Sequence, residues 1–357
     1  MKIGFYSPYL NSLAGGERYV LTLASDWSTA CDVDVFWDDT EILGRAGARL
    51  NLDVSRLRTV KNVFASGGLF ARFQATKKYD LIFVLSDGSI PLIWSKIGIL
   101  HFQRPFIGVK GRSSISKFKL KKFQKVVVNS RFTKSYIDQE FGVNSLVIYP
   151  PAQTNLFKPG KKEKMILSVG RFSQATTNKK QKEILEIFRS ISQKHKDWRL
   201  VLAGGMLEAD KSYVDELRRT AGGWPVEILT NISFNELTNL YAKASIYWQS
   251  TGFGQKGIDP AAEEHFGIAV VEAMSAGCVP MVFNGGGLPE IISNGKDGYL
   301  WNTAAELIEN TQKIISSSTT KNKIAKSATI KAKDFDESVF LNKFDGLLKV
   351  LSNEKIF

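Results

Sequence analysis

Short apolar runs alternate with amphipathic stretches along the first 150 residues. Six runs predict buried strands: Lys2 to Ser7, Asp32 to Trp37, Leu81 to Leu85, Gly98 to Phe102, Val126 to Asn129 and Leu146 to Tyr149. The stretch from Gly15 to Ser28 predicts a helix. Strands separated by helices are typical of a mostly parallel sheet covered on both faces. We therefore predict a Rossmann-like domain over residues 1–150.

The pattern breaks at Pro150-Pro151 and then resumes. The segment from Ala152 to Lys164 has no strong periodicity and is predicted to link two domains. Five further strands are predicted: Met165 to Val169, Arg199 to Leu202, Val226 to Leu229, Ser245 to Gln249 and Val279 to Phe283. Helices are predicted to begin near Asn178, Lys211, Ser233 and Ile268. A second doubly wound domain over residues 151–335 follows from this pattern.

Two further segments stand outside the alternation. The connection from Thr251 to Ala262 contains three glycines and a proline, and its length favours a functional loop. The residues from Asp334 to Leu351 predict a closing helix.

Composition limits the class of protein. A chain of 357 residues exceeds the usual size of a single core, so two domains are expected. The two cysteines, Cys31 and Cys278, have no zinc-ligand spacing and suggest no disulfide framework, which favours a reducing cytoplasm. The most apolar region, Leu81 to Leu100, is interrupted by charged and turn residues, so no segment is expected to cross a membrane.

Positive charge is concentrated in one stretch of the first domain. The net charge is +13, and the residues from Lys96 to Lys134 include eleven Lys or Arg and no Asp or Glu. The densest part, Lys117 to Lys125, also contains Phe118, Leu120 and Phe123, which predicts a basic amphipathic surface element. Such an element suits an anionic membrane on its inner face, an anionic acceptor or nucleic acid. A solvated helix whose apolar residues pack on their own domain is an equal alternative.

The most specific chemical signal is a pair of glutamates eight residues apart, Glu264 and Glu272. Gly267 lets the chain turn into a helix predicted from Ile268 to Ala276, and Gly277 is placed to end it. The amides at a helix start bind phosphate, so carboxylates on either side of them suit sugar or ribose hydroxyls. The pattern therefore favours a nucleotide-sugar site.

The segment from Glu264 to Gly277, with the residues between its two glutamates, resembles a motif of the retaining glycosyltransferases of the Glu-x7-Glu type, also called family 4 or group 1. The segment from Asn284 to Ile292, which follows it, adds to the resemblance. The resemblance implies an α/β fold of GT-B architecture, with two Rossmann-like doubly wound parallel-sheet domains facing a central cleft. It also implies a hexosyltransferase, with the acceptor on the first domain and the nucleotide sugar on the second. The last helix, residues 336–357, is expected to pack back on the first domain.

The resemblance implies roles for the charged residues of the second domain. Arg171, at the end of a predicted strand, and a lysine, Lys179 or Lys180, are expected to hold the donor diphosphate; the insertion from Ser173 to Thr177 obscures which lysine it is. Glu264 is expected near the donor sugar or phosphate, and Glu272 on the ribose hydroxyls. The acceptor hydroxyl would attack on the face that the diphosphate leaves, so no metal and no separate base are required.

Other candidate contacts are mostly backbone or turn positions. Gly15 and Gly16 form a glycine-rich turn, Ala14 to Arg18, that admits a close ligand. His101, at the end of a strand, is similar to a family histidine that approaches the donor hexose. The remaining donor-binding candidates are Gly170, Ile232, His265, Phe266, Gly267 and Ile268.

Several motifs are also similar to the GDP-mannose-dependent mannosyltransferases of lipid-linked oligosaccharide synthesis. They are Gly15 to Arg18, His101, Val127 to Thr133, Val147 to Pro151 and Glu264 to Gly267. This similarity favours GDP-mannose as the donor, with UDP-glucose or another UDP-sugar next, and a glycan or glycolipid as the acceptor. No cofactor is expected.

The sequence is also compatible with other functions. Asp32-Val33-Asp34 and Asp334-Phe335-Asp336 spell the Asp-x-Asp of metal-dependent glycosyltransferases, but their positions indicate incidental matches. A sugar phosphorylase or a nucleotide-sugar epimerase could share the architecture. From another class, the basic stretch from Lys96 to Lys134 could bind nucleic acid, although no nucleic-acid partner is expected.

Overall fold

The computed structural model describes residues 1–13, 15–173 and 178–353. It divides into two compact units, which are described separately. The first contains the described residues of Met1–Pro151 and those from Ser338 to residue 353, and the second contains the described residues of Ala152–Glu337.

The first unit is built on a seven-stranded parallel sheet of order β3-β2-β1-β4-β5-β6-β7. Its strands are β1 (Lys2–Tyr6), β2 (Asp32–Phe36), β3 (Arg58–Val60), β4 (Leu81–Leu85), β5 (Ile97–Phe102), β6 (Lys125–Val128) and β7 (Leu146–Val147). The helices between them are α1 (Gly15–Trp27), α2 (Ile42–Leu50), α3 (Leu69–Thr76), α4 (Ser114–Leu120) and α5 (Arg131–Phe141). The central strands β4 and β5 are buried along their whole length, as expected for a parallel sheet covered on both faces.

The last described helix, α12 (Glu337–Asn353), contributes to the core of the first unit. Its residues Phe340, Phe344 and Leu347 are buried in the cluster that also contains residues of α1 and β1. The Trp27 indole of α1 donates a hydrogen bond to Asp345 at 3.1 Å. A chain segment that follows the second unit thus completes one face of the first sheet. The final residues of the predicted helix, 354–357, lie outside the described part.

The second unit contains a six-stranded parallel sheet of order β10-β9-β8-β11-β12-β13. Its strands are β8 (Glu163–Val169), β9 (Arg199–Gly204), β10 (Val226–Thr230), β11 (Ala244–Gln249), β12 (Val279–Phe283) and β13 (Tyr299–Trp301). Its helices are α6 (Gln181–Lys194), α7 (Lys211–Thr220), α8 (Phe234–Lys243), α9 (Ile268–Ser275), α10 (Ala304–Ser316) and α11 (Ser318–Ala332). This strand order is that of a doubly wound Rossmann fold, with its switch point between β8 and β11. The prediction of two doubly wound parallel sheets is confirmed.

Some boundaries differ from those predicted. The helix expected near Asn178 begins at Gln181, because Lys180 has a left-handed backbone, with φ of 59°, that the helix cannot include. The predicted linker ends early, since β8 already begins at Glu163. Short or weakly periodic elements were not predicted, namely α2, β3, α3, α5, β13, α10 and α11. No helix in the described ranges is long and apolar enough to span a bilayer.

The predicted basic amphipathic element is only partly correct. Its first four residues, 117–120, lie in the short helix α4, but its three apolar residues do not share one environment. Phe123, after the helix, is buried in the core of the first unit, and Leu120 packs against that core. Phe118, by contrast, is exposed. The apolar residues therefore do not all pack on their own domain.

His101 lies inside the first unit, near the end of β5, and its side chain is fully buried. The imidazole stacks on Tyr19 with a centroid separation of 4.0 Å. Its Nδ1 lies 3.1 Å from the Val127 carbonyl, which accepts only, so Nδ1 carries the proton. Nε2 has no hydrogen-bond partner among the described residues. Burial lowers the pKa of His101 to about 3, although the Val127 hydrogen bond acts in the opposite direction.

The His101 imidazole should therefore stay neutral in the folded protein down to about pH 5, because folding lowers its pKa from the usual value of about 6.5. Between about pH 6.5 and pH 3 the unfolded chain would protonate His101 while the folded protein would not. The free energy of unfolding should therefore fall by about 1.4 kcal/mol for each pH unit over this range, and His101 should make no pH-dependent contribution above about pH 6.5. A pH titration of the histidine ring signals by NMR tests this. His101→Phe assigns the signal and keeps the aromatic stack, and a His101 signal that titrates near the ordinary value would contradict the expectation.

Candidate active site

The candidate site lies at the carboxyl edge of the second sheet, at its switch point. Gly170 and Arg171 follow β8, and Gln249 is the last residue of β11. The two strands pair directly, with Ile166 opposite Ile246. Parallel pairing places both strand ends at one edge, where ligands bind in folds of this type.

The central contact of the site is an ion pair between Lys179 and Glu264. Lys179 Nζ lies 2.7 Å from Glu264 Oε2, and the two side chains are only 18% and 17% exposed. The Gln249 side-chain amide donates to the same oxygen at 2.8 Å. The Ser250 hydroxyl donates to the Lys179 carbonyl at 2.9 Å, which fixes the lysine backbone beside β11. Two predicted site residues, 85 positions apart in sequence, are therefore in direct contact.

The ion pair sets the charge state of Glu264. Burial acts to raise the pKa of its carboxyl group, but the charge and hydrogen bond of Lys179 outweigh burial and bring the pKa below its usual value. The carboxylate is thus ionised at neutral pH. It offers fixed negative charge and hydrogen-bond acceptors in a poorly hydrated place.

The segment that carries Glu264 is held by a glycine-rich loop after β12. The Gly287 amide donates to the Glu264 carbonyl at 2.7 Å, and a Cβ on Gly286 would lie 2.1 Å from that same oxygen. The buried carboxylate of Glu263 accepts from the Gly286 amide at 2.6 Å. Only glycine permits so close an approach of two backbone segments, so these glycines position Glu264.

Gly267 turns the chain from this segment into α9. It is the residue before the helix, with φ of 114°, and a Cβ there would lie 2.8 Å from a Leu288 methyl group. Phe266 is buried beside it and packs against Phe335. His265 and Ile268, on either side, are partly buried. The first backbone amides of α9 lack partners within the helix and can bind an anion.

Glu272 lies one turn into α9 and contacts a buried tyrosine. The Tyr241 hydroxyl, from α8, donates to Glu272 Oε2 at 3.1 Å. Burial, together with the Glu272 charge, raises the pKa of Tyr241 well above its usual value, so the hydroxyl stays protonated and donates. Tyr247 of β11 lies beside Tyr241, at a ring separation of 6.0 Å, and its hydroxyl donates to the Val169 carbonyl at 3.3 Å. Both glutamates of the motif are therefore fixed by hydrogen bonds from buried side chains.

The other candidates at this edge differ in exposure. Arg171 is exposed, and no described carboxylate lies within ion-pair distance of its guanidinium. Lys180 is oriented differently from Lys179, because its Nζ pairs with Glu183 of α6 at 3.1 Å. Of the insertion after Phe172, residues 174–177 lie outside the described part.

Glycines allow close backbone packing at the ends of β8 and β9, next to the ion pair. A Cβ on Gly170 would lie 2.7 Å from the Lys179 side chain, and a Cβ on Gly204 would lie 1.9 Å from the Gly170 carbonyl oxygen. Asn231, with φ of 54°, uses its side chain to bond both the amide and the carbonyl of Met206. These bonds fix the turn that presents Ile232, which is partly buried.

The first unit holds the remaining candidates at the start of α1. Gly15 begins the helix, and the Gly16 carbonyl accepts from the Gln103 side-chain amide at 3.0 Å. A Cβ on Gly16 would lie 2.2 Å from Gln103 Oε1, so a larger residue here would displace the Gln103 side chain. Ala14 lies outside the described residues. His101 is enclosed by Tyr19 and Phe83, and a contact with a ligand would require this packing to open.

The two Asp-x-Asp sequences are engaged in protein contacts. Arg58 pairs with both Asp32 and Asp34. Asp334 pairs with Lys331, and Asp336 accepts a hydrogen bond from the Thr154 hydroxyl. In the described parts of the chain, no group of three or more His, Cys, Asp or Glu is arranged to hold a metal.

Sequence reasoning missed Gln249, Tyr241 and Glu263. Gln249 and Tyr241 bond the predicted residues Glu264 and Glu272, and Glu263 bonds the loop that holds Glu264, all through contacts that only the fold creates. For Gln249 the one available signal was its position as the last residue of a predicted strand, at the edge of the sheet where ligands bind. Tyr241 and Glu263 have no signal of their own in a single sequence.

Comparison with known proteins connects this geometry to a family. Residues 152–331 match the profile of glycosyl transferases group 1. The chain is 27% identical to the GDP-Man:Man(3)GlcNAc(2)-PP-Dol alpha-1,2-mannosyltransferase of Dictyostelium discoideum, over 100% of this chain and 86% of that protein. The human protein of the same name is 30% identical over 60% of this chain and 46% of its own length.

Solved structures support the fold. HepE of Anabaena, in complex with UDP and glucose, has a TM-score of 0.75 over 98% of this chain and 100% of that chain, at 19% identity. A glycosyltransferase from Rickettsia africae has a TM-score of 0.76 over 98% of both chains, at 17% identity. These similarities confirm the predicted fold, with two Rossmann-like domains like those of these glycosyltransferase structures.

The family match covers half of the chain and contains the Glu-x7-Glu helix, the Lys179–Glu264 pair and the glycine-rich loop that positions them. The prediction of a glycosyltransferase is therefore confirmed, and the chain belongs to the glycosyl transferases group 1 family.

Proposed function

We propose that the protein transfers mannose from GDP-mannose to a lipid-linked or polysaccharide-type acceptor, with retention of anomeric configuration and without a metal ion. The single observation that carries this proposal is the partly buried Lys179–Glu264 pair beside the start of α9. It combines a cation and the amides of a helix start for a diphosphate with a carboxylate for sugar hydroxyls. The donor would bind the second unit, and the first unit would hold the acceptor.

The charges of the site suit the leaving group. Cleavage of the bond between the sugar and the diphosphate leaves negative charge on a phosphate oxygen. The Arg171 guanidinium, Lys179 and the amides around Phe266 to Ile268 would stabilise that charge. The acceptor hydroxyl would attack the anomeric carbon from the same face and give its proton to the departing phosphate oxygen. Two cations and a helix start supply positive charge here without a metal ion.

The hydroxyl contacts follow from the carboxylates. Glu264 would accept hydrogen bonds from the donor sugar, and Glu272 from the ribose. These roles differ from those in a glycosidase, where the two catalytic carboxylates flank one glycosidic bond. Here one glutamate would contact the sugar and the other the nucleoside.

The choice of mannose and of a lipid-linked acceptor is supported by relatives. Several are named as GDP-Man:Man(3)GlcNAc(2)-PP-Dol alpha-1,2-mannosyltransferases. The relative from Dictyostelium matches the whole of this chain. UDP-glucose is the next donor to test. The cytoplasmic location stays a prediction, as does the absence of a nucleic-acid partner.

Donor binding can be measured by calorimetry with a panel of nucleotides and nucleotide sugars in EDTA. We expect GDP-mannose to bind, and Arg171→Ala and Glu272→Ala each to weaken binding by about tenfold or more, because each removes a charged contact with the diphosphate or the ribose. Arg218→Ala, an exposed arginine of α7, is the matched control and should bind normally. No binding of any sugar nucleotide would refute the proposal, and selective binding of UDP-glucose would correct the donor.

The two lysines can be distinguished by Lys179→Met and Lys180→Met. We expect Lys179→Met to abolish measurable donor binding and to lower the free energy of unfolding by about 1–3 kcal/mol, because Glu264 is left partly buried without its cation. Lys180→Met should change donor binding little, since its side chain pairs with Glu183. The double variant Lys179→Met with Glu264→Gln should regain stability without regaining binding. Recovery of donor binding in that variant would contradict a direct role for Lys179.

The reaction itself can be followed with GDP-mannose and a short-chain lipid-linked oligomannoside in EDTA. We expect an α-linked product from the α-linked donor, recognised from the one-bond carbon–proton coupling at the new anomeric centre. A β-linked product would contradict retention, and transfer that appears only after a divalent metal is restored would contradict metal independence. Incorporation of added inorganic phosphate would instead indicate a phosphorylase, and a changed sugar in the recovered nucleotide an epimerase.

A further inference from the structure

We propose that residues 107–125 of the first unit form a docking surface for an anionic lipid bilayer, with apolar side chains entering the headgroup region and basic side chains contacting lipid phosphates. This segment, called here the 107–125 surface, includes the loop after β5, the helix α4 and the turn before β6. The inference does not depend on the sugar donor or on the reaction.

Exposed apolar side chains are the first observation. Four of them lie within twelve residues: Ile107 is 64% exposed, Val109 38%, Ile115 70% and Phe118 59%. Ile115 and Phe118 are three positions apart in α4 and so share one face of that helix. Single exposed apolar residues are common on protein surfaces, but a local group of large ones marks a site of contact.

The loop that carries two of these side chains is held in a defined conformation. The Glu140 carboxylate, from α5, accepts from the amides of Gly108 at 2.9 Å and Gly111 at 3.2 Å. A Cβ on Gly111 would lie 2.6 Å from the Phe141 ring, so the loop packs closely on α5. Ser113 caps α4 by accepting from the Ser116 amide. The protein therefore orders this loop although it leaves Ile107 and Val109 outside the core.

Uncompensated positive charge is the second observation. The surface carries seven basic residues: Lys110, Arg112, Lys117, Lys119, Lys121, Lys122 and Lys125. None of them has a carboxylate within ion-pair distance among the described residues, whereas Lys96 and Lys134, at the two ends of the basic stretch, pair with Asp80 and Asp138. The surrounding stretch supplies eleven basic residues without an acidic one, so the rest of the chain is close to neutral.

The combination favours a bilayer over nucleic acid. Lysine side chains around exposed isoleucine and phenylalanine suit an interface where acyl chains meet anionic headgroups. A surface for single-stranded nucleic acid would use aromatic rings to stack bases, and Phe118 is the one exposed aromatic ring of the 107–125 surface. Isoleucine and valine contribute nothing to base stacking, while both gain from entering a bilayer.

The test is flotation of the full-length protein with vesicles of phosphatidylcholine, alone or mixed with phosphatidylglycerol. One variant, Lys117→Gln with Lys121→Gln, removes charge, and another, Ile115→Ser with Phe118→Ser, removes apolar surface. The controls come from α11, where Lys323, Lys326 and Ile330 are also exposed: Lys323→Gln with Lys326→Gln, and Ile330→Ser. All substituted side chains are exposed, so thermal unfolding should be unchanged.

We expect binding to the mixed vesicles and not to phosphatidylcholine alone. Each lysine near the lipid surface should contribute roughly fivefold to the affinity, so the charge variant should bind at least about tenfold more weakly. The apolar variant should also bind about tenfold more weakly, and the α11 variants should bind as the wild type does. The proposal is overturned if the two surface variants bind as tightly as the wild type. It is equally overturned if neutral vesicles bind equally well, or if single-stranded RNA is bound in a salt-dependent manner and vesicles are not.

Discussion

The direct parallel pairing of β8 with β11 is the constraint on which the candidate site depends. It places the ends of two strands, about 80 residues apart in sequence, next to each other at the edge of the sheet. Gly170 then lies against Lys179, and Gln249 reaches Glu264. A register error between β8 and β11 would move Gly170 and Gln249, the two supports of the ion pair, away from each other. In a doubly wound sheet this pairing occurs where the chain reverses its winding direction, which leaves a crevice for a ligand.

Desolvation gives the charges of the site their strength. Glu264 is ionised although it is largely buried, because the charge and hydrogen bond of Lys179 outweigh the effect of burial on its pKa. Glu272 likewise receives a hydrogen bond from a tyrosine that burial keeps protonated. Charges held in this way in a poorly hydrated place interact strongly with a ligand and require little reorganisation when it binds. The glycine-rich loop that bonds the Glu264 backbone also reduces this reorganisation, since it restricts the conformations of the Glu264 segment before a ligand binds.

The sequence predicted those features that a short range of residues determines. Apolar runs located the central strands, because a strand buried on both faces is predominantly apolar. The Glu-x7-Glu helix was found since its turn, its cap and its carboxylates are all within fourteen residues. Elements such as β3 and β13, with three residues each, were missed because their pairing rather than their composition defines them. The role of Tyr241 could not be predicted from the sequence either. The packing of α8 against the sheet, and not any local pattern, brings Tyr241 to Glu272.

Uncompensated positive charge occurs in two different physical settings in this protein. At the switch point the exposed Arg171 follows the strand end that packs against the partly buried Lys179–Glu264 pair, and few cations are needed there because that pair is poorly hydrated. On the 107–125 surface the lysines are solvated, so each contributes little and several are needed together. Elsewhere, surface lysines such as Lys164 and Lys182 pair with carboxylates of neighbouring elements. A small, tightly held anion therefore suits the first setting. An extended anionic surface suits the second, where apolar side chains add the attraction that screened charges cannot provide.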